Sequence, residues 1–429
     1  MDQKKELLEV NFKYNNIIVF IKFNMESILV HYYCSERKEE CFWEDLKNPE
    51  YSQVEPTVLE SNFYIPQPES TYKKQKCILT SKGIFLVSKN LIPVKYSMLA
   101  WKTVEQLKEL PEGLYGFRVS SGSVVQDFHT RSCRTLKMWL KNLRKMCILT
   151  GFKSEYRKIK KIGEGNYSEV FLAKALNSNK KFAVKCIKKE RLLKTESGLK
   201  HLVQEIQAMR VLDHPNVPKL HKVYESSNKF YLVQDYLKHK NLCTVISEEG
   251  NFSEEKAAKV MKKLLGTLHY LHSENVVHRD IKLENVLLGK NLEVKLIDLG
   301  LACTDVEETQ KPMCGSPGYL APEMLYKEVY GTKVDMFSAG VMLYAMLYRM
   351  LPFSGCGIKE VLKNNKKCKL EFPSLKCLSI SEEAKDLMSK LIEANPQKRI
   401  SAYEAVLHPW IAKFNQTNHF TSEFLEIHS

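Results

Sequence analysis

The chain has 429 residues, of which 44% are hydrophobic and 27% are charged. These proportions are ordinary for a water-soluble globular protein, and they exclude a chain that is mainly disordered. At roughly 100–200 residues for each domain, the length predicts two or three domains. The net charge of +15 fits a surface of solvated lysines, and it would also attract phosphates or anionic lipids.

The cysteine and apolar patterns exclude several classes of protein. None of the twelve cysteines has Cys-x-x-Cys spacing, which argues against a zinc ribbon, and the histidines show no metal-ligand spacing. Scattered cysteines fit reduced thiols in the cytoplasm. The apolar run from Ile17 to Ile21 is far too short to cross a bilayer. We therefore expect a cytoplasmic protein without a zinc site.

The first 150 residues alternate short apolar runs with turn signals. Strands are predicted at 76–79, 83–88, 113–119 and 123–129, after looser chain marked by three prolines between residues 56 and 68. One helix follows, in which apolar residues recur at helical spacing: Leu136, Trp139, Leu140 and Leu143. The pattern predicts a small β-barrel capped by a C-terminal helix at 55–150, with an unassigned extension at 1–54.

The rest of the chain changes from strand-like to helical patterns. Strands are predicted at 156–162, 170–175, 181–187 and 230–236, with one helix at 198–212 among them. Longer helices follow at 254–272, 334–348 and 382–393, where Ser253 and Ser381 are suitable N-caps. This order predicts an α+β fold with a small β-rich lobe and a larger helical lobe.

Two motifs in the β-rich part suit phosphate binding. Gly163 and Gly165 lie in a turn where missing side chains let backbone N–H groups approach a phosphate, although ordinary hairpins contain such turns too. Ser168 stands where a third glycine is usual. Lys185 follows on an apolar strand, and a buried ammonium needs an anion. We expect Glu205 on the 198–212 helix to supply it.

The strongest signal is the string at 277–285, which reads Val-His-Arg-Asp-Ile-Lys-Leu-Glu-Asn and is followed by Ile-Asp-Leu-Gly at 297–300. With these motifs in this order, residues 156–411 resemble the eukaryotic protein kinase family. The resemblance implies the bilobal protein kinase fold, with ATP and Mg²⁺ as cofactors and proteins as substrates. Residues 412–429 remain as a short C-terminal tail.

The resemblance also implies a role for each motif residue. Asp280 would accept the proton of the substrate hydroxyl, and Lys282 would steady the transferring phosphoryl group. Asn285 and Asp298 would hold Mg²⁺, while Lys185, paired with Glu205, would hold the nucleotide phosphates. The nucleotide site would further include Ile162, Gly163, Glu164, Gly165, Val170, Ala183, Asp235, Leu237 and Leu287.

Supporting roles follow from the same resemblance. Gln234 would gate the back of the nucleotide pocket, Glu323 would pair with Arg399, and Asp335 would brace the backbone of the catalytic loop. Leu299 replaces the phenylalanine that usually follows the metal-binding aspartate. One apolar side chain replaces another there, so we expect the packing to be kept.

Several positions bear on the choice of substrate. Lys282 and the Gly-Ser-Pro-Gly-Tyr segment at 315–319 resemble serine/threonine kinases rather than tyrosine kinases, and Ser316 would form a hydrogen bond near Asp280. Glu284 often contacts a basic residue before the target in such kinases, whereas Asn241 replaces a second acid. We expect a mild preference for basic substrate sequences.

Arg279 beside the catalytic aspartate implies an activation segment that is ordered by negative charge. Thr304 and Thr309 are the candidates for phosphorylation. Carboxylates at positions 305, 307 and 308 already supply charge there, so we expect partial activity without phosphorylation.

Two regional resemblances complete the sequence interpretation. Segments 314–323 and 407–411 look most like the calcium/calmodulin-dependent kinase group, but the short tail and the lack of an EF-hand loop predict no calmodulin-binding tail. The 55–150 pattern resembles a pleckstrin-homology domain, with another small β-domain or a kinase-specific extension as the alternatives. Lys73, Lys74 and Lys76 would then bind an anionic phosphoinositide and recruit the protein to a membrane surface, or they are simply solvated lysines.

The main alternative to an active kinase is a nucleotide-binding pseudokinase that serves as a scaffold. The intact set Lys185, Asp280, Asn285 and Asp298 favours the active enzyme. Nucleic-acid binding through the basic surface has no motif behind it, and we expect no nucleic-acid partner.

Overall fold

A computed structural model describes residues 8–14, 17–23, 42–45, 57–67, 71–81, 83–88, 93–99, 101–108, 110–121, 124–165, 168–194, 197–304, 313–373 and 379–414. The chain divides into two compact units. The first contains Met1–Leu199 and Leu220–Tyr236, and the second contains Lys200–Lys219 and Leu237–Ser429.

The N-terminal part of the first unit is built from short strands. A separate antiparallel hairpin is formed by β1 (Leu8–Tyr14) and β2 (Ile17–Phe23). The remaining strands are β3 (Glu44–Asp45), β4 (Leu59–Pro66), β5 (Tyr72–Leu79), β6 (Gly83–Val87), β7 (Pro93–Met98), β8 (Thr103–Gln106), β9 (Tyr115–Ser121) and β10 (Val124–Thr130).

The first unit continues with the strands predicted for the β-rich lobe. They are β11 (Ile148–Leu149), β12 (Tyr156–Glu164), β13 (Ser168–Ala175), β14 (Lys181–Lys188), β15 (Leu220–Glu225) and β16 (Lys229–Asp235). All of these except the β1–β2 hairpin join one 14-stranded sheet, in the order β12-β13-β14-β16-β15-β11-β8-β9-β10-β4-β5-β6-β7-β3. Within the described ranges this order is open, so the predicted barrel is not confirmed.

Helix α1 (Cys133–Met146) packs on the N-terminal strands. Its buried residues are the predicted apolar stripe: Leu136, Trp139, Leu140 and Leu143. The Trp139 ring lies 4.8 Å from the Phe63 ring, centroid to centroid, and its Nε1 donates a 3.0 Å hydrogen bond to Ser61 Oγ. One hydrophobic core runs from these residues to Val184 and Val233 on β14 and β16.

A two-residue strand joins the N-terminal strands to the β-rich lobe. Ile148 of β11 lies opposite Thr103 of β8 on one side and Val223 of β15 on the other, parallel to both. Helix α2 (Phe152–Glu155) follows, and its Glu155 accepts from Lys222 Nζ of β15 at 2.6 Å. The N-terminal strands and the lobe therefore form one continuous sheet.

Two helices follow β14 in the chain. Helix α3 (Lys189–Leu192) follows β14, and α4 (Gly198–Val211) comes next in the chain.

The second unit is mainly helical. Its helices are α5 (Leu242–Glu249), α6 (Glu254–Ser273), α7 (Pro322–Tyr326), α8 (Lys333–Tyr348), α9 (Ile358–Lys367), α10 (Glu382–Leu391), α11 (Ala402–Val406) and α12 (Pro409–Lys413). A small antiparallel sheet contains β17 (Lys240–Asn241), β18 (Val286–Leu288) and β19 (Val294–Leu296). Almost every residue of α8 is buried, which makes it the central helix of this unit.

The structure confirms the predicted strands and helices with shifts of a few residues at their ends, and it confirms Ser253 and Ser381 as N-caps. The looser chain expected before residue 76 is wrong in part, because β4 occupies Leu59–Pro66. Pro66 is the last residue of that strand, where a proline is tolerated. The boundaries 1–54, 55–150, 156–411 and 412–429 stay predictions. Within the ranges given above, no helix combines the length and apolarity that crossing a bilayer requires.

Candidate active site

The glycine-containing turn connects β12 and β13. A register shift leaves Ile162 without an opposite residue, since Lys161 faces Phe171 and Gly163 faces Val170. Gly165 N donates to Ser168 O at 2.8 Å, and a Cβ on Gly165 would lie 3.1 Å from Ser168 Oγ. The serine thus closes the turn in place of a third glycine. Asn166 and Tyr167 lie outside the described residues.

Three of the predicted nucleotide residues of the first unit share one face of the sheet. Val170 of β13 lies opposite Lys185 of β14, and Ala183 of β14 lies opposite Gln234 of β16. Opposed residues, and alternate residues along a strand, point to the same face. Val170, Ala183 and Lys185 therefore line this face together, with Lys185 half-buried.

Further residues of the predicted nucleotide site belong to the second unit. Glu205 is buried on α4, Leu287 is half-buried on β18, and Leu237 precedes β17. Asp235 ends β16 in the first unit. The Lys185–Glu205 pair and the joint nucleotide site stay predictions.

Three side chains of the second unit meet at Asp280. Ser316 Oγ donates to Asp280 Oδ1 at 2.7 Å, and Lys282 Nζ donates both to Asp280 Oδ2 and to Ser316 Oγ at 2.7 Å. Asn285 Nδ2 donates to Asp280 Oδ2 at 3.0 Å and to its backbone carbonyl at 2.9 Å. These bonds hold the carboxylate in one orientation. The predicted hydrogen bond of Ser316 is confirmed.

The two predicted metal ligands flank the β18–β19 hairpin at the same end. Val286 lies opposite Leu296, Asn285 directly precedes β18, and Ile297 N donates to Asn285 O at 2.9 Å. Asp298 follows at once with a left-handed backbone, φ 62°. The amide nitrogen of Asn285 is directed at Asp280, so its amide oxygen is the atom that a cation would meet. An amide oxygen beside a carboxylate is a hard donor set that fits Mg²⁺.

Asp335 braces the catalytic loop as predicted. Its carboxylate accepts from the backbone N–H of Arg279 at 2.8 Å and of His278 at 2.9 Å, and His272 Nε2 lies 3.0 Å from Oδ2. Burial alone would raise the pKa of Asp335, but the bonds from His272 and the backbone hold it below its usual value. Arg279 has a left-handed φ of 66°, and the two backbone bonds hold that conformation.

A buried ion pair joins distant parts of the second unit. Arg399 and Glu323 form two parallel bonds, 2.6 Å from Nη1 to Oε1 and 2.9 Å from Nη2 to Oε2, and both residues are almost fully buried. Arg399 also donates to the carbonyl oxygens of Lys333 and Glu393 at 2.8 Å. The predicted Glu323–Arg399 pair is confirmed.

The guanidinium of Arg279 is buried among neutral partners. It donates to Leu301 O at 2.5 Å and to Tyr330 Oη at 3.3 Å. Within the described part of the chain, no acidic side chain forms an ion pair with it. Thr304 is half-buried, while Thr309 and the carboxylates at 305, 307 and 308 lie outside the described residues.

The residues expected to contact a substrate differ in their surroundings. Glu284 is exposed beside the catalytic loop. The Oδ1 atom of Asn241 instead accepts from Thr244 N at 2.8 Å and caps helix α5. Asn241 therefore has a structural role in the helical unit.

The three lysines of the predicted lipid site do not form one cluster. Lys73 and Lys74 are exposed, but they point to opposite faces of β5, where they lie opposite Ile65 and Tyr64. Lys76 forms a 2.7 Å ion pair with Glu60. The alternation of a strand therefore separates residues that are neighbours in the sequence.

One buried contact was not predicted from the sequence. Lys189 Nζ lies 2.6 Å from Glu225 Oε1, with both side chains about 5% exposed. The only signal in the sequence is that Lys189 follows one strand and Glu225 ends another. Charged residues at strand ends are too common to single out a pair.

Comparison with known proteins gives one match to a family and several relatives. The protein kinase domain family matches residues 156–411. A probable serine/threonine-protein kinase 2 of Plasmodium falciparum is 35% identical over 282 residues, which cover 65% of this chain and 54% of that protein. Myosin light chain kinase A of Dictyostelium discoideum is 34% identical over 275 residues, which cover 63% of this chain and 92% of that protein.

Relatives named for calcium dependence also occur. Calcium-dependent protein kinase 5 of Plasmodium falciparum is 35% identical over 262 residues, which cover 60% of this chain and 45% of that protein. The chain thus spans about half the length of the two Plasmodium relatives. The family match and these names support a protein serine/threonine kinase, and the family implies ATP with a divalent metal. This chain belongs to the protein kinase family.

Proposed function

We propose that this protein transfers the γ-phosphoryl group of ATP to serine and threonine hydroxyls of other proteins. The observation that carries the proposal is the carboxylate of Asp280, which Ser316, Lys282 and Asn285 hold at 2.7–3.0 Å. A carboxylate fixed in this way can accept or orient the proton of an incoming hydroxyl. A second group, the ammonium of Lys282, lies beside it.

Each residue has a distinct task in this proposal. Asp280 receives the hydroxyl proton as the oxygen attacks, and Lys282 offsets the negative charge of the phosphoryl group in transit. Asn285 and Asp298 would hold Mg²⁺, which neutralises charge on the nucleotide phosphates when it is bound. Lys185, which belongs to the first unit, would hold the phosphates of the nucleotide. Leu299, which is buried, keeps the packing next to Asp298.

The test is transfer of labelled phosphate from ATP and Mg²⁺ to a generic basic protein, comparing the wild type with Asp280→Asn. We expect phosphoserine or phosphothreonine with the wild type and a loss of about 10²–10⁴-fold in the variant, the usual contribution of a placed base. Equal rates would show that Asp280 is not the base. Asn241→Ala, which removes only a helix cap, is a control for general damage.

The competing function is a nucleotide-binding scaffold without transfer activity. The intact constellation around Asp280 favours the enzyme, because a scaffold does not require an oriented base. If pure wild-type protein binds ATP but transfers nothing, even after treatment with an activating kinase, the scaffold reading replaces this proposal.

Substrate preference forms a finer part of the proposal. Glu284 is exposed and supports selection of a basic residue before the target, and Asn241, used as a cap, supports only a mild preference. Peptides with arginine at successive positions before the serine test this preference. A Glu284→Gln variant should reduce the discrimination severalfold and leave the rate with a neutral peptide unchanged.

Membrane recruitment through a pleckstrin-homology-like N-terminal segment stays a prediction. The exposed side chains of Lys73 and Lys74 support it, while the Lys76–Glu60 pair reduces the available charge. Vesicles with and without an anionic phosphoinositide test it by co-sedimentation. If the double variant Lys73→Gln/Lys74→Gln binds these vesicles as well as the wild type does, the two lysines are not the lipid-binding residues.

A further inference from the structure

The pairing of β15 with β16 contains a bulge at His221. Leu220 lies opposite Gln234 and Lys222 lies opposite Val233, so β15 has one extra residue, His221, at this point. A bulge of this kind redirects the side chain of the extra residue. Here the bulge lies beside the final residues of β16, from Gln234 to Asp235.

The redirected imidazole contacts the last residue of β16. His221 Nε2 lies 2.7 Å from Asp235 Oδ1, and the ring packs edge-on against Phe182, with centroids 5.2 Å apart. Phe182 is itself opposite Asp235 across β14 and β16. The carboxylate of Asp235 is therefore fixed by one hydrogen-bonding ring, and a buried aromatic ring holds that imidazole in place.

The contact is too exposed to act mainly through stability. The side chains of His221 and Asp235 are 27% and 37% exposed, and ion pairs with this exposure add little to folding free energy. A hydrogen bond between two strand residues can still restrain Asp235, whose carboxylate it contacts at the end of β16. We therefore expect loss of the His221–Asp235 contact to change ligand binding at Asp235 rather than the free energy of folding.

We propose that His221 is a positioning residue for the nucleotide, which it holds indirectly by fixing Asp235 at the end of β16. This inference rests on the proposed function, and it adds that the backbone of Asp235, which the resemblance assigns to the nucleotide site, contacts the adenine. His221 does not touch the substrate or the reacting atoms. Its role is to set the backbone on which adenine recognition depends.

Three variants of the full chain separate this role from a structural one. His221→Leu keeps an apolar side chain of similar bulk against Phe182 but removes the bond to Asp235. His221→Gln keeps an N–H donor within reach of the carboxylate. Lys222→Met is the matched control. It removes the neighbouring 2.6 Å ion pair to Glu155, whose side chains are about a quarter exposed, and Lys222 lies opposite Val233 rather than Asp235.

The measurement is the steady-state rate against ATP and against a generic basic protein. We expect His221→Leu to raise the KM for ATP about fivefold to tenfold, with kcat and the KM for the protein substrate within about twofold. His221→Gln should recover the wild-type KM for ATP, and Lys222→Met should not change it. An unchanged KM for ATP in His221→Leu, an equal rise in Lys222→Met, or a loss confined to kcat each overturns the inference.

The failure of this inference can be told from failure of the proposed function. If the wild type transfers no phosphate, the proposed function fails, and calorimetric titration with ATP and Mg²⁺ then tests His221 by itself. A weaker affinity in His221→Leu, restored in His221→Gln, would still support the positioning role. Equal affinities in all three proteins would end it.

Discussion

The hydroxyl of Ser316 lies 2.7 Å from Oδ1 of Asp280 and 2.7 Å from Nζ of Lys282, so one side chain binds both the carboxylate and the ammonium. Ser316→Ala should lower kcat about 10- to 100-fold, since a hydrogen bond to a charged group contributes roughly 1.5–3 kcal/mol. The KM for ATP should change little. Initial rates with a basic protein substrate measure both constants.

The control for this prediction is Ser316→Thr, which keeps the hydroxyl. It should retain at least about a third of the wild-type kcat, because the donor to Asp280 is still present. Equal losses for Ala and Thr would mean that the shape of the segment, and not the hydroxyl, matters.

Breaking the Glu323–Arg399 pair should destabilise the second unit. Glu323→Gln leaves a buried guanidinium without its charge partner, at a cost of about 3–5 kcal/mol in the free energy of unfolding. Urea unfolding measures this change. The exposed pair Lys369–Glu371 is the comparison, and Glu371→Gln should leave the midpoint of urea unfolding unchanged. Similar losses in the two variants would contradict the assigned importance of burial.

The lowered pKa of Asp335 predicts how stability depends on pH. The ionised form is favoured in the folded state, so its contribution is fully present above the unfolded value of 3.8 and is lost as the pH falls through the lower folded value. Asp335→Asn should cost about 2–3 kcal/mol at pH 7, since it weakens several hydrogen bonds to a charge. This difference from the wild type should stay constant from pH 7 to 5. A change within that range would contradict the assignment of this pH dependence to Asp335.

Trp139 should be important for the stability of the whole first unit. Trp139→Ala removes a fully buried ring from a core shared with Val184, and should cost about 3–5 kcal/mol. Met138→Ala is the control, because Met138 is the preceding residue and is 41% exposed; we expect a change within about 0.5 kcal/mol. Urea unfolding followed by far-ultraviolet circular dichroism compares the unfolding midpoints of the two variants. A wild-type midpoint in Trp139→Ala would exclude a shared core.

Phosphatase treatment should lower the activity of the protein without abolishing it. Arg279 is buried without an acidic partner in the part of the chain that the structure describes, so a phosphate on Thr304 or Thr309 would supply the missing charge. Carboxylates at 305, 307 and 308 would supply it in part. The residual rate after complete dephosphorylation, checked by mass spectrometry, is the measurement. A rate of zero would contradict partial activity without phosphorylation.

Motifs with strong chemical constraints were predictable from the sequence, and contacts made by folding were not. The string around Asp280 carries the resemblance to the protein kinase family, and the pairing of Glu323 with Arg399 was expected from that resemblance. The His221 bulge depends on the register of two strands, which no local pattern encodes. In the same way, Lys73 and Lys74 looked like a cluster until the strand pointed them to opposite faces.

Ile148 has a practical consequence for any shortened version of this protein. A chain that begins at Tyr156, where the family match starts, would lose β11 and leave the outer edge of β15 with unpaired backbone groups. Exposed strand edges of this kind recruit other chains and aggregate. We therefore expect a chain cut at Tyr156 to aggregate more readily than a longer one. A shortened protein should begin before β3, which is the first strand of the 14-stranded sheet in chain order.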